Sequence, residues 1–378
     1  MAELEITVEE LARLEADSVV LVDLRDAVSY EYGHIPGAIN VPQAEVATKI
    51  TAKDKTVCLY CRNGVVSLSL AEDLAEDGVR AVSLKGGYFA WLRAHLNEMD
   101  TTESVLRVEG SITKKFHRDL FSPFVRAINE YGLLKPSDKV AVCISGGKDS
   151  MLMAKLFQHL HRYTKFPFEL VFLVMDPGYS PENREVIERN AKLLGIPITV
   201  FDSNIFESVF AIEKSPCYVC ARMRRGYLYS KAKELGCNKI ALGHHYDDVI
   251  ETTLMGMLYG AQMQTMMPKV KSTNFEGMEL IRPMYLIREA DIKRWRDYNN
   301  LRFIQCACKF TDYCTSEGCK TSNTGSKRKQ VKDLIATLAK QDPQVEQNIF
   351  RSAENVNLST IIAYKDKDGV KHRFDDEW

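Results

Sequence analysis

Six consecutive residues, Ser145-Gly146-Gly147-Lys148-Asp149-Ser150, hold two glycines, a lysine, a carboxylate and two hydroxyls. They lie between the apolar run Val140–Ile144 and a helix expected from Met151. Glycines let a backbone approach an anion, and the free N–H groups of a helix start face phosphate. Lys148 can neutralise phosphate charge, and Ser145 and Ser150 can donate hydrogen bonds. The spacing is not that of the GxxxxGK[ST] loop. A second group, Gly243-His244-His245-Tyr246-Asp247-Asp248 with Glu251-Thr252, follows another apolar run. Adjacent carboxylates at a strand end are costly unless a cation or a donor compensates them. Asp247 and Asp248 are therefore expected to form a Mg²⁺ and substrate-activation site. His245 is expected to orient a phosphate or donate a proton, with capping of the next helix as the alternative.

The chain has 10 cysteines. Without an export signal they do not read as a disulfide framework. Cys217 and Cys220 have CxxC spacing, and Cys306-Ala307-Cys308, Cys314 and Cys319 form a later group. Such thiols can bind metal, exchange redox equivalents or pack. Zinc takes four closed ligands and a [4Fe-4S] cluster also takes thiolates; spacing does not choose between them. Cys58, Cys143 and Cys237 stand in apolar or helical surroundings and read as buried small hydrophobes.

The elements that must position these residues alternate. Strands are expected at Ser18–Val22 and Lys55–Tyr60, with a helix at Val65–Leu74 and a second running to Leu96. Asn97–Thr102 reads as a linker, dividing 1–100 from 101–378. A helix carrying Phe116, Leu120, Phe124, Ala127 and Ile128 follows, closed by Gly132. Strands at Val140–Ile144, Glu169–Val174, Ile198–Phe201 and Lys239–Leu242 alternate with helices around 181–193, 221–235 and 247–258, the pattern of an open parallel sheet. From Val331 the chain reads as a helix and then a polar tail, with a turn at Asp366–Lys371. The net charge of -1 conceals 9 Lys/Arg against 17 Asp/Glu in residues 1–100, leaving 41 against 34 beyond. Only the second part is therefore expected to meet a polyanion, through Arg222–Arg225, Lys269–Lys271 and Lys327–Lys329. No apolar run reaches ~18 residues, and the acidic Met1–Glu5 lacks a signal core, so a cytoplasmic protein with no membrane association is expected.

The Ser145–Ser150 motif resembles the PP-loop of ATP pyrophosphatases, which cleave ATP between the α and β phosphates and activate a substrate as its adenylate. That resemblance implies an adenine nucleotide alpha hydrolase-like α/β domain. ATP would contact Ser145, Gly146, Gly147, Lys148, Asp149, Ser150, Asp176, His245 and Arg282, with Lys148, Asp149, Asp247 and Asp248 catalytic beside Mg²⁺. Cys217-x-x-Cys220 followed by Arg222-x-Arg224-Arg225-Gly226, with Tyr259-Gly260, Met267-Pro268 and Arg282-Pro283, extends the likeness to the tRNA 2-thiocytidine synthetases over about residues 110–355. It implies a [4Fe-4S] cluster held by Cys217, Cys220 and one later cysteine, Cys306 or Cys308 first. The sequence departs from the family pattern there, with CxC in place of CxxC and with Cys314 and Cys319 in addition.

Asp23-Leu24-Arg25, Gly33-His34-Ile35-Pro36-Gly37-Ala38-Ile39-Asn40-Val41-Pro42 and Cys61-Arg62-Asn63-Gly64-Val65-Val66-Ser67 resemble a small rhodanese-like α/β domain over residues 5–96. A cysteine leading a glycine-containing loop and helix can be a stabilised thiolate, and Cys61 is expected to carry persulfide sulfur. Val66 stands where that loop usually has a basic residue. The expected function is ATP-dependent thiolation of a tRNA base, cytidine first. Rivals are thiolation of uridine or a small metabolite, and a non-enzymatic iron–sulfur RNA-binding or redox scaffold. Expected partners are tRNA, a sulfur donor such as a cysteine desulfurase or sulfane-sulfur compound, and a second copy of the chain as the homodimer option.

Overall fold

The computed structural model describes residues 4–50, 55–203, 205, 216–304, 327–366 and 368–374. Three sheets result. The first has five parallel strands: β1 (Glu5–Ile6), β2 (Val19–Asp23), β3 (Ile39–Asn40), β4 (Thr56–Tyr60) and β5 (Ala81–Leu84), in the order β1-β5-β4-β2-β3. β4 (TVCLY) is central and buried from its second residue onward, which its unbroken apolar run requires.

The second sheet contains β6 (Lys139–Ile144), β7 (Glu169–Asp176), β8 (Ile198–Asp202), β9 (Lys239–Ala241), β10 (Lys269–Lys271) and β11 (Glu279–Ile281), in the order β10-β11-β9-β6-β7-β8. All pairings are parallel except β10 on β11, an antiparallel edge. Two lysines on that short edge strand suit solvent and discourage further pairing. From central β6 the chain moves outward to β7 and β8, then returns to β9 on the other side. The topology thus reverses between β6 and β9, and such a switch point opens a crevice at the carboxyl ends of the strands. The glycine loop leaves β6 there and Gly243–Asp248 follows β9. The third sheet, β12 (Ala363–Lys365) with β13 (Lys371–Arg373), is a hairpin around the expected turn.

The α/β class stands as expected. Phe116, Leu120, Phe124, Ala127 and Ile128 are all buried, but not on one regular helix: Phe116 lies between the π-helical turns Ser111–Lys115 and His117–Phe121, and the α-helix proper runs over Ser122–Glu130. The division at Asn97–Thr102 is tighter than a polar linker suggests. The helix Gly87–Glu98 and the helix Thr101–Gly110 are separated by two residues, and Asp100 caps the second by accepting from the Glu103 N–H at 2.7 Å. Arg189, from the helix Pro181–Leu193, donates to the carbonyls of Leu96 (3.0 Å), Asn97 (3.3 Å) and Met99 (3.0 Å). One apolar cluster runs through Tyr88, Leu92 and Leu96 into Val108, Ile187 and Ile304. The joint is packed, so it does not act as a tether. Among the described residues no helix is long and apolar enough to cross a membrane.

Candidate functional site

The helix Lys148–Tyr163 starts at the end of the glycine loop. Gly146 sits at φ +86°, and a Cβ there would stand 2.6 Å from Ile187 Cγ1, so both backbone and space demand glycine. Ser150 Oγ accepts from the Ser145 N–H at 3.1 Å and donates to the Gly147 carbonyl at 3.1 Å, closing the loop on itself. A Cβ on Gly243 would lie 3.2 Å from Ser150 N. The two strand-end segments therefore meet because glycine lets their backbones approach.

Lys148 is buried, with 4% of its surface exposed. Its Nζ lies 3.1 Å from Asp149 Oδ2 and 3.2 Å from Glu289 Oε1. Burial alone would lower its pKa, but Asp149, Tyr32 and Glu289 outweigh that and raise it. Glu289 is held far below the carboxylate range: burial opposes the charge, and Lys148, Lys332 and Lys293 overcome it. Lys332, on the helix Lys327–Gln341, reaches Glu289 Oε2 at 2.6 Å.

The acidic pair is compensated, but by arginines. Asp247 accepts from Arg288 Nη2 at 3.2 Å and from the Glu289 N–H at 2.7 Å. Asp248 accepts from Arg328 Nη1 at 3.0 Å and from the His245 N–H at 3.1 Å. The energetic need that pointed to Mg²⁺ at this pair is thus met by protein donors. His245 caps the helix Tyr246–Gly260, accepting the Asp248 N–H at 3.4 Å in a reciprocal capping box, which is the alternative reading of that residue. Its Nε2 lies 3.9 Å from Asp149 Oδ1, an oxygen buried without a hydrogen-bond partner. His244 Nδ1 and Arg282 Nε are likewise buried without partners; burial lowers the pKa of both groups. Asp176 accepts from the Gly178 and Tyr179 N–H groups at 2.8 and 2.6 Å, with Arg184 Nη1 at 3.4 Å. It shapes its own turn.

In the first domain, Cys61 directly follows the buried strand β4, and the Gly64 N–H points at its Sγ from 3.2 Å. Ser67 Oγ lies 3.5 Å from the same sulfur. Gly64 at φ +92° begins the helix Val65–Glu76. Gly87, at φ +59°, leaves no room for a side chain: a Cβ would be 2.5 Å from Cys61 O and 2.7 Å from Gly64 N. Gly87→Ala is therefore expected to destabilise the protein by about 2–3 kcal/mol through strain and overlap at a fixed turn. Chemical denaturation reads that loss, and a wild-type midpoint would contradict the packing account. Cys58 is buried, which pushes its thiol up to about 12, and burial also raises Cys143 to about 12 and raises Cys237. All three are inert small hydrophobes, as their sequence context suggests.

Cys217 and Cys220 are the second and fifth residues of the helix Pro216–Glu234. Cys306, Cys308, Cys314 and Cys319 lie outside the described residues. Among the described residues no cluster of three or more His, Cys, Asp or Glu is arranged to hold a metal.

Residues 7–94 match the rhodanese-like domain and residues 115–309 match the PP-loop domain. The tRNA-cytidine(32) 2-sulfurtransferase of Polaromonas naphthalenivorans is 32% identical over 284 residues, covering 74% of this chain and 85% of that protein. The chain belongs to the tRNA-cytidine(32) 2-sulfurtransferase family. A second member, from Neisseria meningitidis, is 34% identical over 236 residues, covering 61% of this chain and 69% of its own length. A solved structure of the U34-tRNA thiolase NcsA from Methanococcus maripaludis, with its [4Fe-4S] cluster, covers 62% of this chain and 79% of its own at 21% identity and a TM-score of 0.48. As a PP-loop sulfurtransferase-family protein it is an ATP-dependent enzyme of sulfur transfer. Arg288, Glu289 and Lys332, which no sequence motif marks, join His244 of the Gly243–Asp248 segment and Arg328 of the basic segment around this crevice. The basic segment Lys327–Lys329 does not simply face solvent, because Arg328 is committed to Asp248.

Proposed function

We propose that this enzyme adenylates a carbonyl of a tRNA base, C2 of cytidine first, and replaces that oxygen with sulfur delivered from Cys61. The observation that carries the reading is the fusion in its docked form: a cysteine facing a backbone N–H, in a domain whose apolar core is continuous with that of the PP-loop domain, in a chain of this family. Phosphates would lie on the loop Ser145–Ser150, with Lys148 neutralising the charge that develops as pyrophosphate leaves. Asp149 is the carboxylate with a buried, unpartnered oxygen, so it fits a Mg²⁺ shared with phosphates, which takes one or two carboxylates from a protein. That ion would supply charge stabilisation at the α phosphate. Asp247 and Asp248 hold Arg288 and Arg328 at the crevice, with His245 fixing their helix start. The half-buried Arg282 and the unpartnered His244 are suited to the adenylate or the base.

Cys217 and Cys220, three residues apart on one helical turn, fit a shared metal group as soft thiolate ligands. With Cys306 or Cys308 they would hold a [4Fe-4S] cluster, which supplies a binding place for incoming sulfur. Persulfide sulfur is at the sulfane level, so its insertion as sulfide consumes two electrons from a thiol reductant. Cys217→Ala is expected to remove most of roughly four iron atoms per chain and to abolish thiolation; stoichiometric zinc in active, anaerobically isolated protein would rule the cluster out. The decisive experiment is anaerobic reconstitution with ATP, a persulfide donor and bulk tRNA, followed by nucleoside mass spectrometry. 2-Thiocytidine with AMP and pyrophosphate supports the reading. Sulfur in uridine, or none in RNA, overturns the substrate assignment, and ADP as the substrate-dependent product overturns the chemistry.

A further inference from the structure

The phosphate-binding turn is not built by one domain. Tyr32, the last residue of the helix Ala27–Tyr32 in the carrier domain, places its hydroxyl at the start of the PP-loop helix. Its Oη accepts the Lys148 N–H at 3.1 Å and donates to the Ile304 carbonyl at 3.2 Å. A Cβ on Gly147 would meet that oxygen at 3.4 Å. The Lys148 ammonium stands 5.4 Å from the centre of the Tyr32 ring, and Arg296 Nη1 donates to the Tyr32 carbonyl at 2.6 Å. Arg296 is itself buried. The phenol is therefore pinned from both sides, and burial pushes its pKa up to about 12, so it sits there neutral.

A neutral oxygen on this amide matters because the first N–H groups of a helix are the ones a phosphate uses. One N–H makes one good hydrogen bond. We propose that Tyr32 is a nucleotide-site residue supplied in cis by the sulfur-carrier domain, occupying the Lys148 amide until a phosphate oxygen displaces it. Nucleotide binding and the Tyr32 contact then oppose one another, and by linkage the carrier domain senses the state of the nucleotide site.

The contacts behind Tyr32 lead to the sulfur loop. Gly33 O accepts from Arg25 Nη2 at 2.7 Å, and Arg25 lies 3.7 Å from the centre of the Tyr88 ring. The Tyr88 N–H donates to Cys61 O at 2.9 Å. A shift at Tyr32 therefore reaches, through three residues, the backbone that cradles the sulfur.

The inference rests on phosphate occupying the Ser145–Ser150 turn, and the test separates the two. The full-length protein and its Tyr32→Phe variant are titrated with Mg²⁺ and the ATP analogue bearing a methylene between the α and β phosphates, which cannot be cleaved there. Loss of one opposing hydrogen bond should tighten binding in Tyr32→Phe by about fivefold. In hydrogen exchange, the analogue should slow exchange over 145–150 and speed it over 27–33 in the wild type. In Tyr32→Phe the 27–33 segment should exchange faster from the outset and respond little to analogue. If the analogue leaves 145–150 unchanged, the nucleotide-site reading fails and this inference with it. If 145–150 is protected but Tyr32→Phe binds no more tightly than wild type, the displacement idea alone fails. Weaker binding would make Tyr32 a ligand of the nucleotide and would equally overturn it.

Discussion

Lys148→Ala is expected to lower ATP-dependent thiolation by about 10²–10³-fold, the scale seen when one preorganised charge-stabilising group is removed. The reason is visible in its surroundings. Lys148 is the cation between Asp149 and Glu289, and its removal withdraws the positive charge proposed to meet phosphate, leaving Asp149 without its lysine while Glu289 keeps Lys293 and Lys332. Asp149 loses its lysine in a partly buried site, so stability should fall with activity, by less than the about 3–5 kcal/mol of a buried charge left wholly unpaired. The two effects separate in the double variant Lys148→Met with Glu289→Leu. Removing Glu289 as well takes away one carboxylate that Lys148 faced but leaves Asp149, Lys293 and Lys332 each short of a partner, so only part of the stability should return, as a double-mutant cycle would read, while AMP formation stays lost. A double variant that regains substantial AMP formation would show that Lys148 acts only as a structural ion-pair partner.

Cys61→Ser is expected to reduce thiolation from a limiting, protein-bound sulfane donor by about a hundredfold. The substitution keeps an acceptor for the Gly64 N–H and so leaves the cradle folded. Fusion into one packed unit keeps the proposed carrier beside the domain that uses its sulfur, and that advantage vanishes with the thiol. Excess free sulfide should restore much of the activity, because it bypasses the carrier and the nucleotide crevice is untouched. Labelled sulfur should pass through a Cys61 peptide before reaching RNA in a single turnover. Wild-type transfer by Cys61→Ser at limiting donor, or a Cys61 persulfide that never discharges, would recast the first domain as a docking module.

The strands that carry the crevice were legible because their physics is local. Val140–Ile144 is apolar throughout and must be covered on both faces, and Gly146 betrays a left-handed turn directly after it. The cradle of Cys61 was legible for the same reason. What closed the crevice was not. Arg288, Glu289, Arg328 and Lys332 lie over a hundred residues from Lys148 and look like ordinary charged helix positions until the helices pack. Asp247 and Asp248 are read from sequence as a Mg²⁺ and substrate-activation site; the structure pairs them with Arg288 and Arg328, and adjacent carboxylates alone cannot say whether a metal or a guanidinium will face them. Asn97–Thr102 looked like a tether because it is polar; the clamp on it is Arg189, ninety residues on. Tyr32 carried no signal, since one aromatic at a short helix end is ordinary until it meets another domain.

The apolar cluster that passes from Leu92 and Leu96 into Val108 and Ile187 makes the two halves one cooperative unit. Neither half has a finished surface where they meet. A scanning calorimeter should record a single endotherm for the whole chain, since melting the carrier strips cover from the catalytic half at the same moment. Separating the halves at Met99–Asp100 would turn each into a protein with a bare oily face, so the rhodanese-like half and the PP-loop half are bound to be made, kept and lost together.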